Sequence, residues 1–152
     1  MKRFHFSLRP VGVLRNHRKL QARDAFAASI QVFIQAEEAL AQMRSRVLMF
    51  ETALQTGRRG SFSAANEAEA LAAYRHECAA EAAAEKELSA ARELMQRRRA
   101  EYLDAHRQVE VLQRLEDKAR AVHRLEINRE EQAGFDEFAG RRRLKPHPIV
   151  SS

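Results

Sequence analysis

The sequence predicts an all-α fold, an antiparallel two-helix coiled-coil hairpin whose longer C-terminal helix overhangs the first helix. The composition is helical, because 32% of the 152 residues are charged, only 7% are aromatic and none is Trp. The interior of the chain carries a single cluster of helix breakers, and apolar residues recur at heptad spacing on both sides of it. These features predict one coiled-coil domain over residues 1–140, followed by a basic disordered tail over residues 141–152.

The first helix is predicted over about residues 11–56. Pro10 suits the first turn of a helix, where its missing N–H is not needed, and neither Gly nor Pro occurs between Val13 and Thr56. Gly57 is expected to end the helix in a left-handed conformation. Alternating steps of four and three residues define the apolar seam of this helix, which consists of Ala22, Phe26, Ser29, Phe33, Ala36, Leu40, Met43, Val47, Phe50 and Leu54.

A turn over residues 57–63 leads into the second helix, which is predicted over about residues 64–139. Ser63 is expected to cap this helix, and Glu67 places negative charge in its first turn. The seam is thin at first, because it is carried by Leu71, Tyr74 and Cys78 among many alanines. It then strengthens, with Arg98 as an interruption, through Leu88, Ala91, Met95, Tyr102, Ala105, Val109 and Leu112. Beyond Leu112 the stripe is expected to slip to Leu115, Ala119, Val122 and Leu125.

Unequal helix lengths predict an arm without a partner in its own chain. An antiparallel pairing through a short turn places Val13 near residues 102–108, so α-helical residues from about Val111 to Ala139 would project alone. The apolar residues Leu115, Val122 and Leu125 would then be exposed or bound by another molecule.

Basic residues are concentrated at the two ends of the chain. Residues 1–23 carry a charge of +7 without an acid, and residues 141–145 carry +4, within a net charge of +6. This distribution suggests an acidic partner for the ends. The alternative function is a basic coiled coil that binds nucleic acid non-specifically, with clusters at residues 97–99 and 141–143. Membrane-surface binding through Phe4, Phe6 and Leu8 is a further alternative with a short apolar face.

No pattern of catalytic or cofactor-binding residues occurs in the sequence, so we expect no enzymatic activity, no cofactor and no metal site. The glycines at positions 57 and 60 lack the Lys-Ser/Thr pair of a phosphate-binding loop. Cys78 and His76 are two residues apart and would point to different faces of a helix. Metal-binding pairs at i, i+3 or i, i+4 do not occur among the six histidines, which are His5, His17, His76, His106, His123 and His147.

Both ends of the sequence resemble the flagellar export protein FliJ family. The start, residues 3–11 followed by Val13-Leu14-Arg15, resembles the aromatic, Leu and Val-Leu-x-x-Arg opening of that family, and the likeness ends with Asp136-Glu137-Phe138-Ala139 before basic residues. Residues 35–38 and 109–115 look like corresponding segments of that family. The resemblance therefore covers nearly the whole chain.

The resemblance implies a non-enzymatic, stalk-like coiled coil of the flagellar type III export apparatus, located in the cytoplasm and peripherally at the inner membrane. Its implied partners are the export ATPase FliI, the export gate protein FlhA and export chaperones, with no specific nucleic acid. The implied ATPase-binding residues are Leu8, Val13, Leu14, Arg15, Leu125, Asn128, Asp136, Glu137 and Phe138.

Gate binding is implied for the part of the hairpin nearer the turn. Met43 and Phe50 match apolar or aromatic positions of the family there. On the second helix, larger groups would be expected in place of Ala73, Glu77, Ala80 and Ala84, so Leu71 and Tyr74 complete the expected gate surface.

Overall fold

The computed structural model describes residues 2–60 and 63–144, which form two α-helices, α1 (Arg9–Arg59) and α2 (Ala64–Arg143). These residues contain no strand. The helices pack against each other in antiparallel orientation, which confirms the predicted all-α hairpin. The chain divides into two compact units. We call Met1–Asn16 with Arg107–Ser152 the terminal unit and His17–His106 the central unit, and describe each by itself; the assignment of a single domain stays a prediction.

Helix α1 begins as the sequence predicts but ends later. Pro10 lies in its first turn, and the Gly12 N–H donates a hydrogen bond to the Leu8 carbonyl at 3.0 Å. The predicted left-handed stop at Gly57 is wrong, because α1 continues to Arg59 and no described glycine has a positive φ. Gly57 lies three residues after the buried seam residue Leu54 and is half-buried, so packing favours a further helical turn.

Ser63 caps the start of α2, as predicted. Its Oγ accepts a hydrogen bond from the Asn66 N–H at 3.2 Å, and its carbonyl accepts one from the Glu67 N–H at 3.0 Å. The Glu67 carboxylate pairs with the Arg58 guanidinium at 3.0 Å, across the reversal from α1 to α2. Local polar contacts therefore cap the start of α2 and tie it to the end of α1.

Helix α2 extends four residues beyond its predicted end. It passes through Gly134 and Gly140 and includes residues 141–143, so the prediction of a tail beginning at residue 141 is wrong for these three. A glycine inside a helix costs only about 1 kcal/mol relative to alanine, which weakens a long helix without ending it. Residues 145–152 of the predicted tail lie outside the described residues.

The core of the central unit follows the predicted heptad seam. All ten predicted seam positions of α1 are buried or half-buried, and Ser29, Leu40 and Leu54 are the buried ones. The Ser29 Oγ donates to the Phe26 carbonyl at 2.6 Å, so this polar seam residue is satisfied within its own helix. Small residues of α2, including the buried Ala84 and Ala91, face this seam.

The terminal unit pairs over a longer stretch than predicted. Gly12 lies against Leu112, and the segment before α1 places the buried side chain of Phe6 in the same groove. The expectation that Val111 begins an uncovered arm is therefore wrong, because residues of the same chain cover this part of α2. In the described part of the chain, neither helix contains a stretch apolar enough to span a bilayer.

Candidate functional site

The N-terminal residues of the expected ATPase-binding surface lie in the terminal unit and are mostly exposed. Val13 is 69% exposed, and Leu8 and Leu14 are also exposed. Arg15 is half-buried, and its Nη1 donates to the Gln108 carbonyl of α2 at 3.3 Å. Three apolar side chains are thus available to a partner, whereas Arg15 fastens α1 to α2.

Residues before α1 pack on α2 through aromatic and cation–π contacts that the periodicity could not reveal. The Arg120 guanidinium lies 5.0 Å from the Phe4 ring centroid, and the His123 ring lies 5.6 Å from it. Arg120 also pairs with Glu116 at 3.1 Å. The Phe4 ring is thereby held against a polar stretch of α2.

The large apolar residues predicted beyond Leu112 are exposed, as expected, but the expectation that this part of α2 has no partner in its own chain is wrong. Of the four predicted residues, Ala119 is half-buried, while Leu115, Val122 and Leu125 are exposed. The inward-facing positions are instead buried or half-buried, namely Leu112, Glu116, Ala119, His123 and Ile127. Phe6 and Phe4 from the N-terminal segment cover this mixed face near Leu112 and His123, and Leu115, Val122 and Leu125 lie outside it.

The last part of α2, residues 124–143, carries the remaining members of the expected surface, and we call it the arm. Leu125 is 57% and Phe138 62% exposed, and the expected residues Asn128, Asp136 and Glu137 are exposed too. The expected set did not include Phe135, which is 72% exposed. Its spacing of three residues from Phe138 was the available signal, because this spacing puts two rings on neighbouring positions of one helix.

Charge along the arm is divided into two blocks. All five of its acidic residues lie within residues 126–137, and three of its five basic residues lie at 141–143. The Arg142 guanidinium lies 5.6 Å from the Phe138 ring centroid. The exposed Phe138 therefore stands between an acidic and a basic stretch.

The two parts of the expected ATPase-binding surface do not form one cluster. Gly12 contacts α2 at Leu112 and Phe4 contacts it at His123, whereas Phe138 lies fifteen residues further along the same helix. At 1.5 Å per residue, this separation is about 22 Å. A partner that contacted both parts would have to follow the terminal unit along α2.

The expected gate surface lies in the central unit, and all four of its residues are half-buried. They are Met43, Phe50, Leu71 and Tyr74. A hydrogen bond with Cys78 is the main cause that raises the pKa of Tyr74 above its ordinary 10.0, and the nearby carboxylate of Glu51 adds to it. Each of these four side chains packs partly in the seam and exposes the rest of its surface to solvent.

The other family positions of α2 serve the packing between the helices. Glu77 and Ala84 are buried, and the Glu77 carboxylate accepts a hydrogen bond from Arg46 Nη2 at 2.8 Å. Arg44 similarly lies 3.6 Å from Glu81 and 3.5 Å from Glu85. Sequence reasoning missed the part-buried ion pair of Arg46 and Glu77, because a glutamate among alanines is typical of a solvated helix face.

Groups of three or more His, Cys, Asp or Glu side chains that could hold a metal ion do not occur in residues 2–60 and 63–144. The expected binding residues lie on two candidate surfaces, one in the terminal unit and one in the central unit.

A family model described as "Flagellar FliJ protein" matches residues 4–146. This match spans nearly the whole chain, including both helices and the arm. Comparison with curated proteins and with solved structures gave no match.

Proposed function

The chain belongs to the FliJ family and is a component of the flagellar protein export apparatus, and we propose that it acts there as a non-catalytic binding protein. The terminal unit binds the export ATPase, and the central unit binds the export gate. The single observation that carries this proposal is the arm, a helical segment with exposed aromatic and aliphatic residues in a chain of this family.

Exposed apolar residues of the terminal unit support ATPase binding. Val13, Leu14, Leu125 and Phe138 are large side chains that expose much of their surface to water. Exposed apolar residues of this size favour a partner, because covering them is favourable at about 25 cal/mol per Å². Charged residues beside them, such as Arg15 and Asp136, would set the orientation of the partner.

Binding of this kind would regulate the ATPase without a chemical step in the bound protein. A ligand shifts an equilibrium only by favouring one state, so the terminal unit would have to bind the assembled ATPase more tightly than its separate subunits. The expected consequence is promoted assembly, and with it a higher turnover of the ATPase.

Gate binding is proposed for Met43, Phe50, Leu71 and Tyr74. Their half-buried side chains lie at the edge of the seam, so a partner could cover them without opening the helix pair. We further propose that the protein escorts export chaperones, and that the gate contact holds it at the cytoplasmic face of the inner membrane.

The test of ATPase binding uses substitutions of two exposed apolar residues of the arm. The double variant Leu125→Ala, Phe138→Ala is expected to lose most of the stimulation of the purified export ATPase, measured as turnover and as oligomer formation. A matched control, Val32→Ala, Leu103→Ala, removes exposed apolar groups from the central unit and should retain the stimulation. Equal stimulation by both variants would reject the arm as the ATPase-binding element.

Gate binding is tested separately, by titration of the cytoplasmic domain of the export gate. The variant Tyr74→Ala should weaken this binding while the stimulation of the ATPase is retained. Helicity measured by circular dichroism controls for the seam, because Tyr74 also packs between the helices. Unchanged gate affinity in a fully helical variant would exclude this residue from the site.

A further inference from the structure

The outer side of α1 in the central unit carries a strip without charged residues, which we call the neutral face. In a chain with 32% charged residues, a continuous uncharged face over four helical turns is unusual. Leu48 is 62% and Met49 68% exposed at its centre. All members of the face are exposed, and they are Ala41, Gln42, Ser45, Leu48, Met49, Thr52, Gln55 and Thr56.

The charged residues of this stretch are engaged elsewhere. Arg44 pairs with Glu81 and Glu85, and Arg46 pairs with Glu77, so both reach from α1 to α2. Glu51 is half-buried. The face opposite the seam is thereby left with neutral side chains and two large apolar ones.

The order of residues on the neutral face is nearly the same in both directions. About the midpoint between Leu48 and Met49, Ser45 stands at the same distance as Thr52, and Gln42 at the same distance as Gln55. Ala41 and Thr56 form the next such pair. Small side chains thus flank the two large ones symmetrically on both sides.

We propose that the neutral face binds the same face of a second copy of this chain, in antiparallel orientation about a two-fold axis near Leu48 and Met49. In such a contact each residue meets the position equidistant from the axis, so Leu48 packs on Met49 and Ser45 faces Thr52 of the other copy. The amides of Gln42 and Gln55 can then exchange hydrogen bonds.

Charge favours a second copy as the occupant. Two chains of net charge +6 repel each other, so their contact has to be uncharged or mutually paired. The neutral face provides the first condition.

The size of the contact predicts a weak dimer. Sixteen residues of helix are about 24 Å long, and a pair of such faces buries less than the roughly 1,200 Å² of a stable interface. We therefore expect reversible association between about 10 µM and 1 mM, the range of weak contacts.

Sedimentation of the full chain over this concentration range tests the proposal. The wild-type chain should shift from monomer to dimer, and Met49→Lys, which puts like charges beside the axis, should remain monomeric. The control Val32→Lys adds the same charge about 25 Å away along α1 and about 100° around the helix from Met49, and it should still dimerise. A wild-type chain that stays monomeric throughout, as expected if a different protein covers the face, would overturn the proposal.

Cross-linking tests the orientation, in a Cys78→Ala background so that the introduced thiols are the only ones. In the antiparallel dimer, positions 41 and 56 of different copies are neighbours, whereas two copies of position 41 are about 22 Å apart along the helix. A mixture of Ala41→Cys and Thr56→Cys chains should cross-link with a short reagent, and Ala41→Cys alone should not. Efficient cross-linking of Ala41→Cys alone would refute the two-fold arrangement.

Discussion

The ion pair between Arg46 and Glu77 makes an asymmetric prediction about the two single substitutions. Glu77 is only 6% exposed, and its carboxylate accepts a hydrogen bond from Arg46 Nη2 at 2.8 Å. The variant Arg46→Met leaves a buried carboxylate without this donor. A hydrogen bond to a charged group contributes about 1.5–3 kcal/mol, and the exposure of more than half of the Arg46 side chain reduces this by solvent screening. We expect a loss of about 1–2 kcal/mol.

Removal of the other partner should have a much smaller effect. The variant Glu77→Leu replaces a buried carboxylate by an apolar side chain of similar size and leaves Arg46 free to be hydrated. Burial of a leucine contributes about 1.5–3 kcal/mol, which offsets the lost pair, and buried ion pairs are often replaced in this way at no net cost. The free energy of unfolding should therefore stay unchanged or rise by up to about 2 kcal/mol.

Urea unfolding followed by circular dichroism at the helix band measures both variants. In thermal unfolding, a loss of 1 kcal/mol in the free energy of unfolding lowers Tm by about 2–4 °C for a chain of this size. The double variant Arg46→Met, Glu77→Leu completes a cycle that isolates the pairwise interaction. If Glu77→Leu destabilises the protein as much as Arg46→Met does, burial of the carboxylate has no free-energy cost and the reasoning is refuted.

Three further substitutions test local features of the helix ends and of the terminal unit. Gly12→Ala should raise the free energy of unfolding in urea by about 0.5 kcal/mol, because the gain in helix propensity exceeds the cost of shifting the Leu112 methyl group, which lies 3.1 Å from the new Cβ. A loss of stability would show that this methyl group cannot move. Ser63→Ala should cost about 1 kcal/mol in thermal unfolding through loss of the cap, whereas Ser63→Asp should retain the stability. Phe4→Ala should release residues 2–8 from α2 and increase their amide hydrogen exchange, and unchanged protection would contradict the role of the Arg120 contact.

The helix pair could be predicted because its signals are local. The heptad spacing that includes Leu40 and Leu54 depends only on residues three and four apart, and those residues form the buried seam. The cap at Ser63 is equally local, since its hydrogen bond reaches only Asn66. The prediction at Gly57 was wrong, because packing against α2 stabilises the helical turn beyond it. A local sequence pattern does not contain this packing.

The terminal unit was harder to predict, since the residues that cover α2 there follow no period. Phe4 and Phe6 precede α1, and a cation–π contact with Arg120 leaves no spacing signature in the sequence. The sequence therefore left this part of α2 without an internal partner and its apolar residues, including Val122, exposed or bound by another molecule. The structure instead turns Glu116 and His123 inward, under aromatic rings from a distant part of the sequence.

The inward position of Glu116 and His123 bears directly on the binding surface. Because polar residues of α2 meet the N-terminal segment, the large residues Leu115, Val122 and Leu125 are left exposed on the helix. Had they formed the internal seam, much of the apolar surface available to a partner would have been used within the chain. Polar residues at the inward positions of α2 weaken its packing on the N-terminal segment. They also leave Leu115, Val122 and Leu125 on an exposed face for the proposed ATPase contact. The variant His123→Leu puts an apolar residue at one of these inward positions and should tighten the packing of Phe4. It should not reduce stimulation of the ATPase, because Leu125 and Phe138 stay exposed.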